Sequence, residues 1–178
     1  MTVTVDQAAF RGALGRFASG VTVVTTVLDG VDHAMTASAF TSVSLDPPLV
    51  LVCSHKVNRF HDAVLESKVW GVSILAEEGM DASAWFAHRG RPLETQFDDH
   101  PHHRGESGVV LLEKSLAWLE CTTHDVVDGG DHSILIGSVV GAGVRDDLDD
   151  PLLYYRSHYG TIVRRPETEK TVYDQGSA

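Results

Sequence analysis

Residues 35–44 (MTASAFTSVS) form a stretch that is rich in side-chain hydroxyl groups. Its hydroxyl residues are Thr36, Ser38, Thr41, Ser42 and Ser44. Hydroxyl groups and accessible backbone N–H groups can pair with the alternating donors and acceptors at the edge of a flat heteroaromatic ring. An ordinary strand whose hydroxyls pair across a sheet would show the same composition. The spacing alone therefore leaves both interpretations open.

Residues 54–60 (SHKVNRF) could bind a phosphate group. Ser54, Lys56, Asn58 and Arg59 stand at the start of a predicted helix. A helix N-terminus presents free backbone N–H groups and the positive end of the helix dipole, and the two cations add to its attraction for an anion. A solvated turn that merely precedes the helix is the alternative.

Two further clusters could line a nucleotide pocket. His132 follows Gly130 and Asp131 at the end of a predicted hairpin, where it could reach into a cleft or cap the turn. Residues 154–160 (YYRSHYG) combine three tyrosines with Arg156 and His158. They could form an aromatic and cationic wall, or a packing cluster at a strand end.

The histidines at positions 100, 102 and 103 invite a metal hypothesis, which the sequence does not favour. A metal site needs three or four convergent ligands. Here the cluster lies in a polar, proline-interrupted loop, so we expect no metal site. The motifs GxxxxGK[ST], GxGxxG, HExxH and GxSxG are also absent, which argues against P-loop, Rossmann, zincin and α/β-hydrolase chemistry.

The predicted elements form a mainly β protein. A first helix begins at Asp6, presents Phe10, Leu14 and Phe17 on one face, and ends at Gly20. The other predicted elements are strands at 21–27, 34–38, 49–54, 69–75, 115–127, 132–144 and 152–156, helices at 58–67 and 77–88, and an exposed polar excursion at 89–108. Strands and helices do not alternate regularly, so we predict a small, mostly antiparallel β-barrel with peripheral helices.

The composition restricts the possible partners and the compartment. The 178 residues carry 14 basic and 25 acidic side chains, a net charge of −11. This charge argues against nucleic-acid polymers and anionic membranes as partners. No secretory signal and no long apolar run is visible, and Cys53 and Cys121 lack a paired spacing. We therefore expect a cytoplasmic protein with two reduced, buried cysteines.

The sequence resembles the flavin reductase family of two-component monooxygenase systems. The matching segments lie, in the family's order, at residues 10–26, 35–54, 85–87, 130–140 and 154–160. The resemblance implies an antiparallel Greek-key split barrel of the FMN-binding type and a homodimer. It also implies a single domain over residues 1–163, followed by a polar tail at 164–178.

The resemblance further implies roles for individual residues. His132 would position the nicotinamide of NAD(P)H. The edge of the isoalloxazine ring would be held by Met35, Thr36, Ala37, Ser38, Ser42, Val43 and Ser44. The ribityl chain and phosphate would be held by Cys53, Ser54, Lys56, Asn58 and Arg59, with Phe86 and Ala87 nearby. The nicotinamide pocket would also be lined by Tyr155, His158 and Tyr159.

The implied reaction is hydride transfer from NADH to FAD or FMN, followed by release of the reduced flavin to a flavin-dependent monooxygenase. The 2′-phosphate of NADPH usually needs an arginine partner, and the C-terminal part of the predicted pocket offers only Arg156 as an obvious candidate. NADH is therefore favoured over NADPH. Two alternatives share the fold: a protein that binds FMN without turnover, and an oxidase of the pyridoxamine-phosphate type. The oxidase needs a basic pocket for its substrate phosphate, and the sequence shows only a modest basic cluster.

Overall fold

The computed structural model of the chain describes residues 5–145 and 150–163. The predicted tail at 164–178 lies outside the described residues, so the proposed domain boundary stays a prediction. The helices are α1 (Gln7–Leu14), α2 (Arg59–Ser67) and α3 (Met80–Ala87). The strands are β1 (Ser19–Gly20), β2 (Thr22–Leu28), β3 (Val31–Ala37), β4 (Phe40–Leu45), β5 (Pro48–His55), β6 (Val69–Leu75), β7 (His102–Arg104), β8 (Val110–Leu112), β9 (Ser115–Gly129), β10 (His132–Val144), β11 (Leu153–Tyr155) and β12 (His158–Gly160).

Seven strands form one antiparallel sheet in the order β3-β2-β6-β9-β10-β5-β4. The long β9–β10 hairpin predicted from the sequence is its centre. The sheet curls so that β3 and β5, near its two ends, approach each other. One contact that shows this is a hydrogen bond from Oγ of Ser54 on β5 to Sδ of Met35 on β3, at 3.6 Å. The prediction of a mainly antiparallel barrel with peripheral helices is confirmed.

One of two clusters of buried apolar side chains in the described part of the chain is centred on the middle strands of the sheet. Trp70 of β6 lies fully buried at its centre, next to Gly137 of β10. A Cβ atom at position 137 would lie 2.3 Å from Cζ2 of Trp70, so only glycine leaves room for the indole ring. Phe60 and Val64 of α2 pack into the same cluster, as their helical spacing predicts.

Most of the segment at 89–108 is exposed, as its polar composition predicts, but four of its side chains are buried. Arg91, Gln96, Phe97 and His100 are buried. Nε2 of Gln96 donates to the carbonyl of Asp32 at 2.7 Å, and its backbone carbonyl accepts from Nε1 of Trp85 at 2.8 Å. The carbonyl of Asp32 thus pairs with the amide NH₂ of Gln96, while Oε1 of Gln96 has no hydrogen-bond partner among the described residues. Polarity alone therefore predicted the exposure of the segment but not these four buried side chains.

The first helix differs from its prediction. It ends at Leu14 instead of reaching Gly20, which lies in β1 and pairs with Leu153 of β11. Phe10 and Leu14 of α1 and the following Phe17 are 54, 57 and 79% exposed. The apolar face predicted for this helix is thus present but is not covered by the described part of the chain.

The predicted last strand, 152–156, is present as β11, and a further short strand that the sequence did not predict, β12, pairs with it. They are joined by a turn in which Arg156 and Ser157 have φ values of 50° and 65°. The cysteines are free, and Cys121 is fully buried as expected, whereas Cys53 is only partly buried. Within residues 5–145 and 150–163, no helix is long and apolar enough to cross a membrane.

Candidate functional site

A cleft of about 330 Å³ opens between β3, the N-terminus of α2 and the segment that follows α3. This volume falls within the usual range for small-molecule sites, about 300–1,000 Å³. The lining residues are His33, Ala34, Met35, Thr36, Val57, Asn58, Arg59, Phe60, Phe86, Ala87, His88, Arg89, Gly90, Arg91 and Leu93.

Hydrogen bonds fix the wall formed by β3. Sδ of Met35 accepts from Oγ of Ser54 at 3.6 Å and from Nδ2 of Asn58 at 3.9 Å. Oγ1 of Thr36 donates to the carbonyl of Ser83 on α3 at 2.7 Å. These contacts join β3 to the start of α2 on one side and to α3 on the other, so three separate segments form one rigid wall.

The electrostatic character of the cleft is cationic. Its lining includes Arg59, Arg89 and Arg91, and none of its lining residues is an aspartate or a glutamate. Gly90, at φ 83°, turns the chain so that Arg89 stays exposed while Arg91 is 7% exposed. A chain of net charge −11 thus concentrates positive charge at one concave surface, which suits an anionic ligand.

Arg91 connects the walls of the cleft. Its guanidinium donates to the carbonyls of Trp85, Phe86 and His88 at the end of α3 and to the carbonyl of Ala34 on β3. Its own carbonyl accepts from Nη2 of Arg59 at 2.7 Å. Burial and the charge of Arg59 lower the pKa of Arg91 to about 10, so Arg91 remains cationic at neutral pH.

His33 supplies an unused polar atom. Its Nδ1 is buried and has no hydrogen-bond partner among the described residues. Burial and the nearby Arg59 lower the pKa of His33, and Asp32 opposes this shift only in part. The neutral imidazole can therefore offer a ring nitrogen to a ligand.

The β9–β10 hairpin holds the loop that leads into α2. The backbone N–H of Lys56 donates to the carbonyl of Asp131 at 3.0 Å, and Nζ of Lys56 forms a salt bridge with Asp128. Nδ1 of His132 lies 2.7 Å from Asp131, and its ring meets that of His55 edge-on at 4.7 Å. The bond from Lys56 lowers the pKa of Asp128, and the bond from His132 lowers that of Asp131.

The comparisons with known proteins decide the family. The family model described as "Flavin reductase like domain" matches residues 14–163. The chain belongs to this family. HsaB, the reductase subunit of a flavin-dependent monooxygenase from Mycobacterium tuberculosis, is 38% identical to this chain over 172 residues. The match covers 96% of this chain and 88% of that protein.

Solved structures agree with this assignment. BorF, the flavin reductase component of a bacterial two-component tryptophan halogenase, is 42% identical, with a TM-score of 0.83 over 90% of this chain and 100% of that chain. The NADH:FAD oxidoreductase SgcE6 of Streptomyces globisporus, in complex with NAD and FAD fragments, is 33% identical, with a TM-score of 0.85 over 93% of this chain and 100% of that chain. The chain is therefore an oxidoreductase of the flavin reductase type with the split-barrel fold.

The cleft of this flavin reductase contains part of the predicted site. The predicted residues found in the lining are Met35, Thr36, Asn58, Arg59, Phe86 and Ala87. Ser54 is buried behind Met35, and Cys53 lies next to it on β5. Lys56 and His132 lie beside the cleft, on the loop and the hairpin that support its wall, and outside the lining itself.

Other predicted residues of the reductase lie elsewhere. Ala37 is buried, and Ser38 is exposed just after β3. Ser42, Val43 and Ser44 lie on the edge strand β4, with Val43 48% exposed. Their proposed role at the isoalloxazine ring stays a prediction.

Tyr155, His158 and Tyr159 line a second depression of about 390 Å³. The hydroxyl of Tyr159 lies 2.9 Å from Oγ of Ser83, whose carbonyl accepts from Thr36 in the first cleft. Ser83 thus connects the two cavities of the reductase. Whether these three residues contact nicotinamide stays a prediction.

Sequence reasoning missed several lining residues, chiefly His33, His88, Arg89, Arg91 and Leu93. One signal was available, because Arg89 and Arg91 flank a glycine directly after a predicted helix.

The histidines at 100, 102 and 103 pack against aromatic rings: His100 against Phe86, His102 against Phe97 and His103 against Trp118. A search of the described residues finds no group of three or more metal-ligating side chains.

Proposed function

We propose that this flavin reductase transfers hydride from NADH to FAD and supplies the reduced flavin to a flavin-dependent monooxygenase, with FMN as a second acceptor. The main support for this proposal is the composition of the cleft. Arg59, Arg89 and Arg91 line it, and none of the lining residues is an aspartate or a glutamate. A phosphate-bearing ligand suits such a surface. Relatives of the chain support these substrates, since SgcE6 is an NADH:FAD oxidoreductase and HsaB is the reductase subunit of a flavin-dependent monooxygenase.

The residues present fit a flavin nucleotide. Arg59 and Arg89 are exposed at the cleft and can pair with phosphate oxygens, helped by the N-terminus of α2. His33 also lines the cleft, beside these arginines. Phe86 and Met35 offer apolar surface for a flat ring.

A bound flavin supplies the hydride-accepting chemistry, so the chain needs no dedicated general acid. Its residues bind and orient the two nucleotides and exclude water from between them. His132 is suited to positioning the nicotinamide, because Asp131 restrains its ring through Nδ1 and leaves Nε2 to face a ligand. Backbone N–H groups and hydroxyls beside the flavin would stabilise negative charge that develops on it.

The functional unit is proposed to be a homodimer. The exposed apolar side chains of Phe10, Leu14 and Phe17 form a surface that a monomer would leave in contact with water. A second copy of the chain would cover it. Light scattering of the purified protein tests this proposal, and a mass near 19.3 kDa at micromolar concentration would contradict it.

The activity is tested by following NADH absorbance with and without added flavin. The proposal predicts steady NADH oxidation that depends on added FAD or FMN, and a lower KM for FAD. A protein that binds flavin but leaves NADH untouched would be a flavin-binding protein instead. Oxygen-dependent oxidation of pyridoxamine phosphate without NADH would favour the oxidase alternative.

A further inference from the structure

The guanidinium of Arg91 is a buried cation without an ion-pair partner in the described part of the chain. It is 7% exposed, and the acceptors of its N–H groups are the backbone carbonyls of Trp85, Phe86, His88 and Ala34. The carbonyls at the end of α3 carry the partial negative charge of a helix C-terminus, which stabilises the guanidinium but is not a full counter-ion. The charged side chain that acts on Arg91 is Arg59, a second cation.

A buried charge without a counter-ion is costly, and proteins rarely keep one that has no function. Two structural roles account for part of the cost: Arg91 satisfies the carbonyls that end α3, and its position over the ring of Phe86, at 5.2 Å, is favourable. Both roles use the positive charge of Arg91, but neither supplies a formal counter-ion in a cleft that also contains Arg59 and Arg89. An anion that enters the cleft would supply one.

The position of Arg91 limits how it can act. Its Nε is buried and has no partner among the described residues, and its other nitrogens are held by carbonyls. The guanidinium therefore acts through its charge and through the walls that it holds in place. Arg59, which is exposed and bonded to the carbonyl of Arg91, is the group that can touch the ligand.

We propose that Arg91 is a positioning residue that makes the cleft select phosphorylated flavins over riboflavin. Its uncompensated charge strengthens the attraction for a phosphate held at Arg59, and its carbonyl orients the Arg59 side chain. This inference rests on the proposed function, because it assumes that the ligand of the cleft is a flavin.

The test compares the binding of FMN and riboflavin, which differ by one phosphate group, through quenching of flavin fluorescence without NADH. For Arg91→Met, the Kd of FMN is expected to rise by about tenfold or more, the effect of losing one charge-assisted interaction. The Kd of riboflavin is expected to change by less than about threefold. Arg91→Lys, which keeps the charge, is expected to retain most of the preference for FMN.

Lys68→Met is the matched control, because it removes one positive charge from an exposed side chain at the opposite end of α2. That end lies roughly 13 Å from Arg59, given the rise of a helix. The control is expected to leave both Kd values unchanged. An equal rise for FMN and riboflavin in Arg91→Met would reduce Arg91 to a structural role and overturn the inference.

A second pair of variants covers the case in which Arg91→Met does not fold. Leu93 lines the cleft and is partly exposed, so Leu93→Glu places a carboxylate near the cationic cluster and Leu93→Gln places a neutral group of the same shape there. Only the glutamate variant should lose the preference for FMN, and equal behaviour of the two overturns the inference. If the wild type binds neither FMN nor riboflavin, both the proposed function and the inference fail. If the wild type binds flavin and the variants leave its preference for FMN unchanged, only the inference is refuted.

Discussion

The carboxylate of Glu120 on β9 is buried. The loss in free energy of unfolding that follows its replacement by glutamine can be worked out from its contacts. The side chain is 3% exposed and lies under the turn at residues 105–107. It accepts hydrogen bonds from the backbone N–H of Glu106 at 3.1 Å, from that of Ser107 at 2.7 Å and from Oγ of Ser107. A Cβ at Gly105 would lie 2.3 Å from the carboxyl carbon, so the turn approaches as closely as a glycine permits.

The size of the effect follows from these contacts. In Glu120→Gln the amide oxygen can keep the two bonds from Ser107, but the amide NH₂ then faces the N–H of Glu106, which loses its acceptor. Losing one hydrogen bond to a charged group costs about 2–3 kcal/mol of the free energy of unfolding. For a chain of this size the melting temperature should fall by roughly 4–12 °C.

The loss should depend on pH. Burial by itself raises the pKa of Glu120, but the bonds from Ser107 and from the N–H of Glu106, with the nearby His103, outweigh it, so the pKa lies below its ordinary value of 4.5. A lowered pKa stabilises the fold fully above the ordinary value and loses that contribution as the pH falls through the folded-state pKa. The difference between wild type and Glu120→Gln is therefore greatest near neutral pH and shrinks in acid.

Thermal and urea unfolding of the wild type and the variant at about pH 7 and about pH 3.5 measure this difference. Glu66→Gln, the same change on an exposed side chain of α2, is the control and should alter stability by less than about 0.5 kcal/mol. A shift in melting temperature below about 1 °C at neutral pH, or a difference that grows on acidification, would refute the reasoning.

Three other substitutions test the core and the site. Gly137→Ala places a Cβ 2.3 Å from the Trp70 ring and should cost about 1–3 kcal/mol in urea unfolding, and an unchanged midpoint would contradict this packing. Arg59→Met should raise the KM for FAD by about 10- to 100-fold while kcat changes little, because it removes a charge that we propose pairs with the phosphate of the flavin; a loss confined to kcat would argue against that role. His132→Ala should lower kcat/KM for NADH, and an unchanged value would refute its proposed positioning of nicotinamide.

The sequence predicted the elements whose periodicity is strong. The β9–β10 hairpin, α2 with Phe60 and Val64 inward, and the antiparallel arrangement all follow from local pattern and turn residues. The end of α1 was wrong because β1 pairs with β11, a contact between Gly20 and Leu153 that no local pattern reveals. Tertiary pairing of this kind overrides helix periodicity.

The site was predicted where it lies on one continuous segment and missed where it depends on distant contacts. Asn58 and Arg59 were found because a helix N-terminus with adjacent cations is a local signal. Arg91 was missed because its place in the cleft depends on a hydrogen bond to the carbonyl of Ala34, 57 residues earlier in the chain. Its polar surroundings indicated exposure, whereas backbone carbonyls hold its side chain inside.

The most direct test of the proposed reaction is an anaerobic titration of the wild-type protein with NADH and excess FAD, followed through the absorbance of both nucleotides. Hydride transfer in the cleft predicts that one FAD is reduced for each NADH consumed, and that the reduced flavin passes an ultrafiltration membrane that retains the protein. Consumption of NADH without reduction of FAD, or no consumption of either, would contradict the assignment of this chain as a reductase that releases its product.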